Sequence, residues 1–308
     1  MLNRAVNFRD VVVRPALRQG MKTAMWLLKL TIPVSLAVFL LDQAGILETI
    51  ARVAEPAFRL LGLSGKASIV LITGYFTNIY SVLAVMATLD LTIREGLILA
   101  NMCLIAHSLI VESEIQRKTG SSAWRMVALR IVVSFAAAWL LNLLLPGLSG
   151  KIHSQTELTE AGFADNFMNW LKAIGLTSLK IVVLVNLLLI VQKLLSEYGI
   201  IKWLERPFYP LLKWMGLPGK TTFLWLVANT LGLSYGGAIM ISQTSEGALP
   251  KSDADLLNHH IAVSHSQFED TLLFASMGFS IPWLIFPRFF LAVVVVWIRR
   301  LELTLRKS

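Results

Sequence analysis

The sequence predicts an all-α polytopic membrane protein in which one membrane unit is used twice, and three observations lead there. Of its 308 residues 56% are hydrophobic and 15% charged, with a mean hydropathy of +0.66. That balance cannot clothe a water-soluble domain. Several apolar stretches reach the roughly 20 residues that a helix needs to cross about 30 Å of hydrocarbon. The two halves also match. PAFRLLGLSGK (Pro56–Lys66) and PLLKWMGLPGK (Pro210–Lys220) lie 154 residues apart, while His107 of AHSLIVESE and His265 of SHSQFEDTL, like Arg130 and Arg288, lie 158 apart. A long period of this kind marks a duplicated membrane unit, and the small drift predicts a short insertion between the blocks.

The elements follow in order. Residues 1–22 alternate basic and apolar side chains without a signal-peptide core, and read as an amphipathic segment on the membrane surface. Repeat 1 covers 23–146. It has a long helix over 24–45, an interfacial amphipathic stretch ending in a Gly-rich turn, an interrupted segment over 72–86, and helices over 95–113 and 124–145. A linker over 147–169 precedes repeat 2, 170–298, with the same parts: a helix over 171–196, an amphipathic stretch, an interrupted segment over 227–245, and helices over 255–276 and 280–298. A basic tail, 299–308, closes the chain.

Charge sets the expected topology. Arg4, Arg9, Arg14, Arg18 and Lys22 precede the first helix, and Arg299, Arg300, Arg306 and Lys307 follow the last, so both termini are expected in the cytoplasm. The linker carries Glu157, Glu160 and Asp165 against Lys151 and is expected outside. Each half then crosses an odd number of times, about three full helices plus one re-entrant or broken segment. Two similar units of odd crossing number are inverted repeats.

The net charge of +9 does not form one basic face, which argues against nucleic acid as a partner. The single Cys103 excludes a disulfide framework or thiolate cluster within one chain. HExxH, GxSxG, P-loop and Rossmann signatures are all missing, so no enzyme is expected.

Two sets of residues carry chemistry. In the interrupted segments, Thr77, Asn78, Tyr80 and Ser81 in one copy, and Asn229, Thr230, Ser234, Tyr235, Gly236 and Gly237 in the other, offer hydroxyls, amides and freed backbone to a solute. The same small residues also serve close helix packing. The second set is ionisable. Continuous helices would put Asn101, Ser108 and Glu112 on one face, with His259, Ser266 and Asp270 as counterparts; a second face would carry His107 with Glu114, and Asn258 with His265 and Glu269. His107, Ser108, Glu112, His259, His265, Ser266, Glu269 and Asp270 are the candidate ion or proton pathway, and His107, His265 and Glu269 the candidate metal ligands. No cofactor is required, although a divalent metal ion fits as substrate or ligand. Glu112 with Arg130 and Asp270 with Arg288 are alternatively buried pairs that lock helices.

GLxGK ahead of an interrupted segment, followed by an AHS or SHS helix, resembles the membrane proteins of the nucleoside recognition or Gate domain, over residues 24–298. That group includes Gate segments of concentrative nucleoside transporters, the membrane part of ferrous-iron transporter B and the spore maturation membrane proteins. The resemblance implies a bacterial inner-membrane permease with pore and gate built from repeats. The expected partners are the lipid bilayer and a small polar solute or ion, with room for a homo-oligomer. Hydroxyl, amide and tyrosine content favours a nucleoside-like solute, and the histidine and carboxylate faces a divalent cation. The alternatives are a non-transport scaffold of the spore-maturation type and an intramembrane metal-dependent enzyme.

Overall fold

A computed structural model describes residues 9–148, 150 and 162–306. Every regular element among them is helical. After a π-turn at Arg9–Val13, the first half runs α1 (Arg14–Gln43), α2 (Ile46–Arg59), α3 (Ala67–Phe76), α4 (Ile79–Met86), α5 (Ile93–Ala106), α6 (Leu109–Lys118) and α7 (Ala123–Leu144). The second runs α8 (Phe163–Glu197), α9 (Ile200–Trp214), α10 (Thr222–Thr230), α11 (Leu233–Ser245), α12 (Lys251–Ile261), α13 (Glu269–Ala275) and α14 (Ile281–Leu305).

The succession is the same in both halves: one long helix, one amphipathic helix, two pairs of short helices, one long helix. Ile46 and Ile200, and Ile79 and Leu233, start equivalent elements 154 residues apart; Ile93 and Lys251, and Ala123 and Ile281, start theirs 158 apart. The drift falls in α11, which has 13 residues where α4 has 8, about one extra helical turn.

The local chemistry explains the repeated GLxGK block. Gly62 and Gly216 each take a positive φ, 70° and 79°, just past an amphipathic helix. Leu63 N–H then reaches back to Phe58 O at 3.1 Å and Leu217 N–H to Leu212 O at 2.8 Å, a Schellman stop in which a Cβ would be strained. Acids at equivalent positions hold the two loops: Glu95 Oε1 accepts from Ser64 N–H at 2.9 Å, and Asp253 pairs with Lys220 at 2.7 Å.

Among the described residues five helical stretches are long and apolar enough to cross a membrane: Arg9–Gln43, Ile93–Lys118 (α5 with α6), Ala123–Leu144, Phe163–Glu197 and Ile281–Leu305. Several expectations of the sequence change. The basic segment within residues 9–22 continues into α1, because Pro15 suits a first turn and nothing before Pro33 interrupts the helix; residues 1–8 lie outside the described residues. The linker gives up 163–169 to α8, and its residues 151–161, with Lys151, Glu157 and Glu160, lie outside the described residues. The helices expected over 95–113 and 255–276 are not continuous, since α5 stops at Ala106 with α6 beginning at Leu109, and α12 stops at Ile261 with α13 beginning at Glu269; the tail expected over 299–308 is helical as far as Leu305, the end of α14.

Packing divides the chain into two units, the described parts of Met1–Gly96 with Pro146–Ile200, and of Leu97–Leu145 with Ile201–Ser308. In the first, α1 lies along α8; Phe39, Ala84, Trp170 and Ile174 form its buried cluster, and Trp170 Nε1 donates to Ser35 Oγ at 3.1 Å. In the second, Ile105, Val133, Ala137, Val263, Ala292 and Val295 form a core on which Leu291 packs. Ile105 and Val263, Ala137 and Val295, and Val133 and Leu291 are each 158 apart, so this core joins equivalent positions of the two copies. Small side chains such as Ala137 and Ala292 allow the close approach on which helix association in lipid depends.

Candidate functional site

The second unit holds three helix breaks. Between α5 and α6, and between α12 and α13, Ser108 and Ser266 stand in the left-handed region at φ 48° and 47°, the only described non-glycine residues with positive φ and 158 positions apart. The third break, between α10 and α11, turns at Gly232. Each break leaves backbone groups that a buried environment must satisfy. Ser266 N–H and Phe268 N–H donate to the carbonyls of Ala228 and Asn229, both at 3.1 Å, so two breaks of the second copy cap each other. The first copy uses a side chain instead. Arg130 donates from Nε to Ile105 O at 2.7 Å and from Nη2 to His107 O at 2.6 Å, closing the end of α5.

Around these breaks lie His107, Glu112, His265 and Asp270, all buried. The His107 and His265 rings are 5.3 Å apart. His107 Nε2 and His265 Nε2 each lie 3.3 Å from Glu112 Oε1, and Asp270 Oδ2 lies 3.8 Å from His107 Nε2. Glu112 Oε2 meets Arg130 Nη2 at 2.6 Å. The other ring nitrogens are committed: His107 Nδ1 faces Cys103 O at 2.9 Å and His265 Nδ1 faces Ile261 O at 2.7 Å. A carbonyl only accepts, so both Nδ1 atoms carry hydrogen. In the neutral rings both Nε2 atoms then present lone pairs to a carboxylate oxygen that also only accepts. Lone pairs and a carboxylate oxygen at this spacing can accept a cation, whether a proton or a metal ion.

Several expectations change here. The break at Ser108 rotates α6 relative to α5, so Glu112 joins His107 and His265 instead of sharing a continuous face with Asn101 and Ser108. Asn101 instead donates to Leu97 O and Trp283 O, at 3.0 and 3.1 Å. Glu114 does not share a site with His107; it forms an exposed fork with Arg117 at 2.7 Å. The expected Glu112–Arg130 pair is present, whereas Asp270 and Arg288 do not pair. Arg288 donates from Nε to Leu284 O and from Nη2 to Gln267 Oε1 and Thr271 Oγ1, at 2.8, 3.1 and 3.0 Å, while its Nη1 has no hydrogen-bond partner among the described residues. Sequence reasoning misses Gln267 and Thr271; their i, i+4 spacing opposite a repeated arginine is a signal that could have found them.

Glu112, not Glu269, completes the group with both histidines in which the ligand atoms lie within 4.8 Å of one another. Glu269 is half-buried and turned toward Gly232. His259 belongs to a different network. It accepts from Arg125 Nε at 2.9 Å and faces Asp255 O at 2.7 Å, among Arg299 and Glu302. Asn258 binds Thr119 and Ser121, at 2.8 and 3.0 Å, rather than His265. The Arg125–His259 and Asn101–Trp283 contacts are mates: adding 158 to 101 and 125 gives 259 and 283. Such reciprocity is the mark of an approximate two-fold relation between copies.

The polar residues of the interrupted segments are partly committed to structure. Asn78 caps α4, its Oδ1 accepting from Tyr80 N–H and Ser81 N–H at 3.0 and 3.1 Å. Thr77 and Thr230 bond back to Thr73 O and Leu226 O. Asn229 gives its amide to Trp225 O while its buried Oδ1 has no hydrogen-bond partner among the described residues, as is also true of Ser81 Oγ. Tyr235 is 52% exposed, Gly236 and Gly237 are pressed on Ala228 and Ile115, and the side chain of Ser234 lies outside the described residues.

A family model described as Gate, nucleoside recognition, matches residues 24–116, a stretch that contains His107, Ser108 and Glu112. A relative from Bacillus subtilis (strain 168), named as the uncharacterized membrane protein YvoD, is 32% identical over 286 residues, covering 91% of either chain. No solved structure matches.

Proposed function

Because this chain belongs to the nucleoside recognition (Gate) family of membrane proteins, we propose that it is a permease carrying a small polar solute or ion across a bacterial inner membrane. One observation carries the reading: helix breaks of both copies face each other around a buried group of two histidines, two carboxylates and an arginine. Ionisable groups are costly at membrane depth, and broken helices expose backbone there only where protein or a water-filled path satisfies it. Neither device is needed in a helix bundle that only holds itself together.

In this reading the copies are inverted repeats with both chain ends in the cytoplasm, and Arg117, Lys118 and Arg125 on the same side obey the positive-inside bias. Alternating access of the repeats opens the cluster to one leaflet at a time, with Asn229, Thr230 and Glu269 lining the approach. The role is transport rather than catalysis.

A test independent of the solute uses cysteine accessibility. In a Cys103→Ala background, Ser108→Cys and Ser266→Cys are probed with a membrane-impermeant thiol reagent from each side of inverted and right-side-out vesicles. Alternating access predicts labelling of these positions from both sides. A scaffold without a pathway predicts labelling from neither, and that result removes the permease reading.

A further inference from the structure

We propose that His107, Glu112 and His265, with Asp270 as fourth ligand, bind a divalent transition-metal ion. The inference deepens the permease reading, on which the ion's role as cargo rests; the binding itself can be tested alone.

Four observations lead to it. First, the orientation of both imidazoles is set from behind. Each Nδ1–H is held by the carbonyl four residues earlier, which leaves Nε2 as the free donor atom. Metal-ligating histidines are held in this way, with the far N–H on a carbonyl or carboxylate that fixes the tautomer. Second, the spacing fits. Ligands about 2.0–2.1 Å from a tetrahedral ion stand about 3.4 Å from each other, and both Nε2–Oε1 distances are 3.3 Å. Third, in the neutral tautomer that the Nδ1 bonds set, the atoms are aimed at one another without a hydrogen between them. His265 is fully buried, and its Nε2 and Asp270 Oδ2 have no hydrogen-bond partner among the described residues. Buried polar atoms without partners call for an explanation, and a shared cation supplies one. Fourth, Arg130 holds the other oxygen of Glu112, which leaves Oε1 as the atom turned to the histidines.

The donor set selects the ion. Two imidazoles and two carboxylates suit zinc, cobalt, iron or manganese, whereas calcium prefers six to eight oxygens and magnesium keeps its waters. No thiolate takes part, since Cys103 contributes only its carbonyl. The positive charges of Arg130 and Arg288 oppose a dication in a buried place. They weaken retention and make the ion exchangeable, as suits a passing ion rather than a structural one.

Cobalt(II) is the probe. The chelator-stripped protein in detergent or nanodiscs is titrated with Co²⁺ and followed by visible absorption. The expectation is one equivalent with the intense bands of tetrahedral coordination, displaced by Zn²⁺ and not by Ca²⁺ or Mg²⁺. His265→Gln, whose amide can still serve Ile261 O, abolishes the bands; Glu112→Gln does the same if it folds. His259→Gln, in the separate Arg125 network, leaves them intact. Absent or purely octahedral bands, or bands that survive His265→Gln, overturn the proposal. Metal flux into proteoliposomes is measured in parallel. Binding without flux keeps the site and removes the ion as cargo. Accessibility of Ser108→Cys from both sides without metal binding overturns the metal site and leaves the permease reading standing.

Discussion

Replacing Arg130 by methionine tests how the first helix break is held. The side chain is 0% exposed; its guanidinium donates to Ile105 O and His107 O at 2.7 and 2.6 Å and forms an ion pair with Glu112 Oε2 at 2.6 Å. Leaving one member of a buried pair uncompensated costs about 3–5 kcal/mol. Each stranded carbonyl adds about 1–3 kcal/mol. The three contacts share one group and do not add in full, so Arg130→Met is expected to cost about 5 kcal/mol. Most of the charge penalty should return when Glu112 loses its charge as well, making Arg130→Met/Glu112→Gln about 2–3 kcal/mol more stable than Arg130→Met alone. Unfolding in mixed micelles of rising SDS fraction, followed by circular dichroism, measures both. A cost below about 1 kcal/mol for the single variant, or no recovery in the double, refutes the role given to Arg130. Arg288 is the internal control. Its partners are a carbonyl, an amide and a hydroxyl, and Arg288→Met should cost less, about 1–3 kcal/mol.

Other positions give sharper single tests. Ser266, at φ 47°, should tolerate glycine with no loss or a gain of about 1 kcal/mol, whereas Ser266→Val, with a branched side chain in the left-handed region, should lose at least that much in the same assay. Gly236 lies so close to α10 that an added Cβ would sit 3.0 Å from Ala228 Cα, and Gly236→Ala should cost about 1–3 kcal/mol. Asn78→Ala should lose about 1 kcal/mol through the α4 cap, with Asn78→Asp recovering most of it; equal losses in the two would show that the amide acts by contact with something else.

The fold was legible in the sequence where composition and period speak, and the site only in part. The apolar lengths and the 154- and 158-residue spacings account for the order of elements, and GLxGK pointed to two helix stops that the structure realises at Gly62 and Gly216. The breaks at Ser108 and Ser266 left no such mark. Neither AHSL nor SHSQ contains Gly or Pro, and serine rarely adopts positive φ, so both stretches read as continuous helix and misplaced the faces. What reveals the break is tertiary: a buried arginine beside α5, and the free carbonyls of α10, supply partners that a continuous helix would not require. The repeated His, carboxylate and Arg positions were visible, but their pairing depended on that break.

The divergence of the two copies has a physical consequence at the cluster. A duplicated site begins with equivalent acids and equivalent arginines, and strict symmetry would tie each carboxylate to its own guanidinium. Here Glu112 is tied to Arg130, while Thr271 and Gln267 draw Arg288 away and leave Asp270 Oδ2 facing His107. One carboxylate is anchored and the other is released. A group that takes up and gives back a cation needs both, because an anchored ligand fixes where the ion sits and a released one lets the charge around it change. Thr271→Val with Gln267→Leu should therefore return Arg288 toward Asp270. Under the metal proposal that weakens cobalt binding at least tenfold while Glu112–Arg130 remains intact. Unchanged cobalt affinity in a folded variant would show that Asp270 is no part of the site.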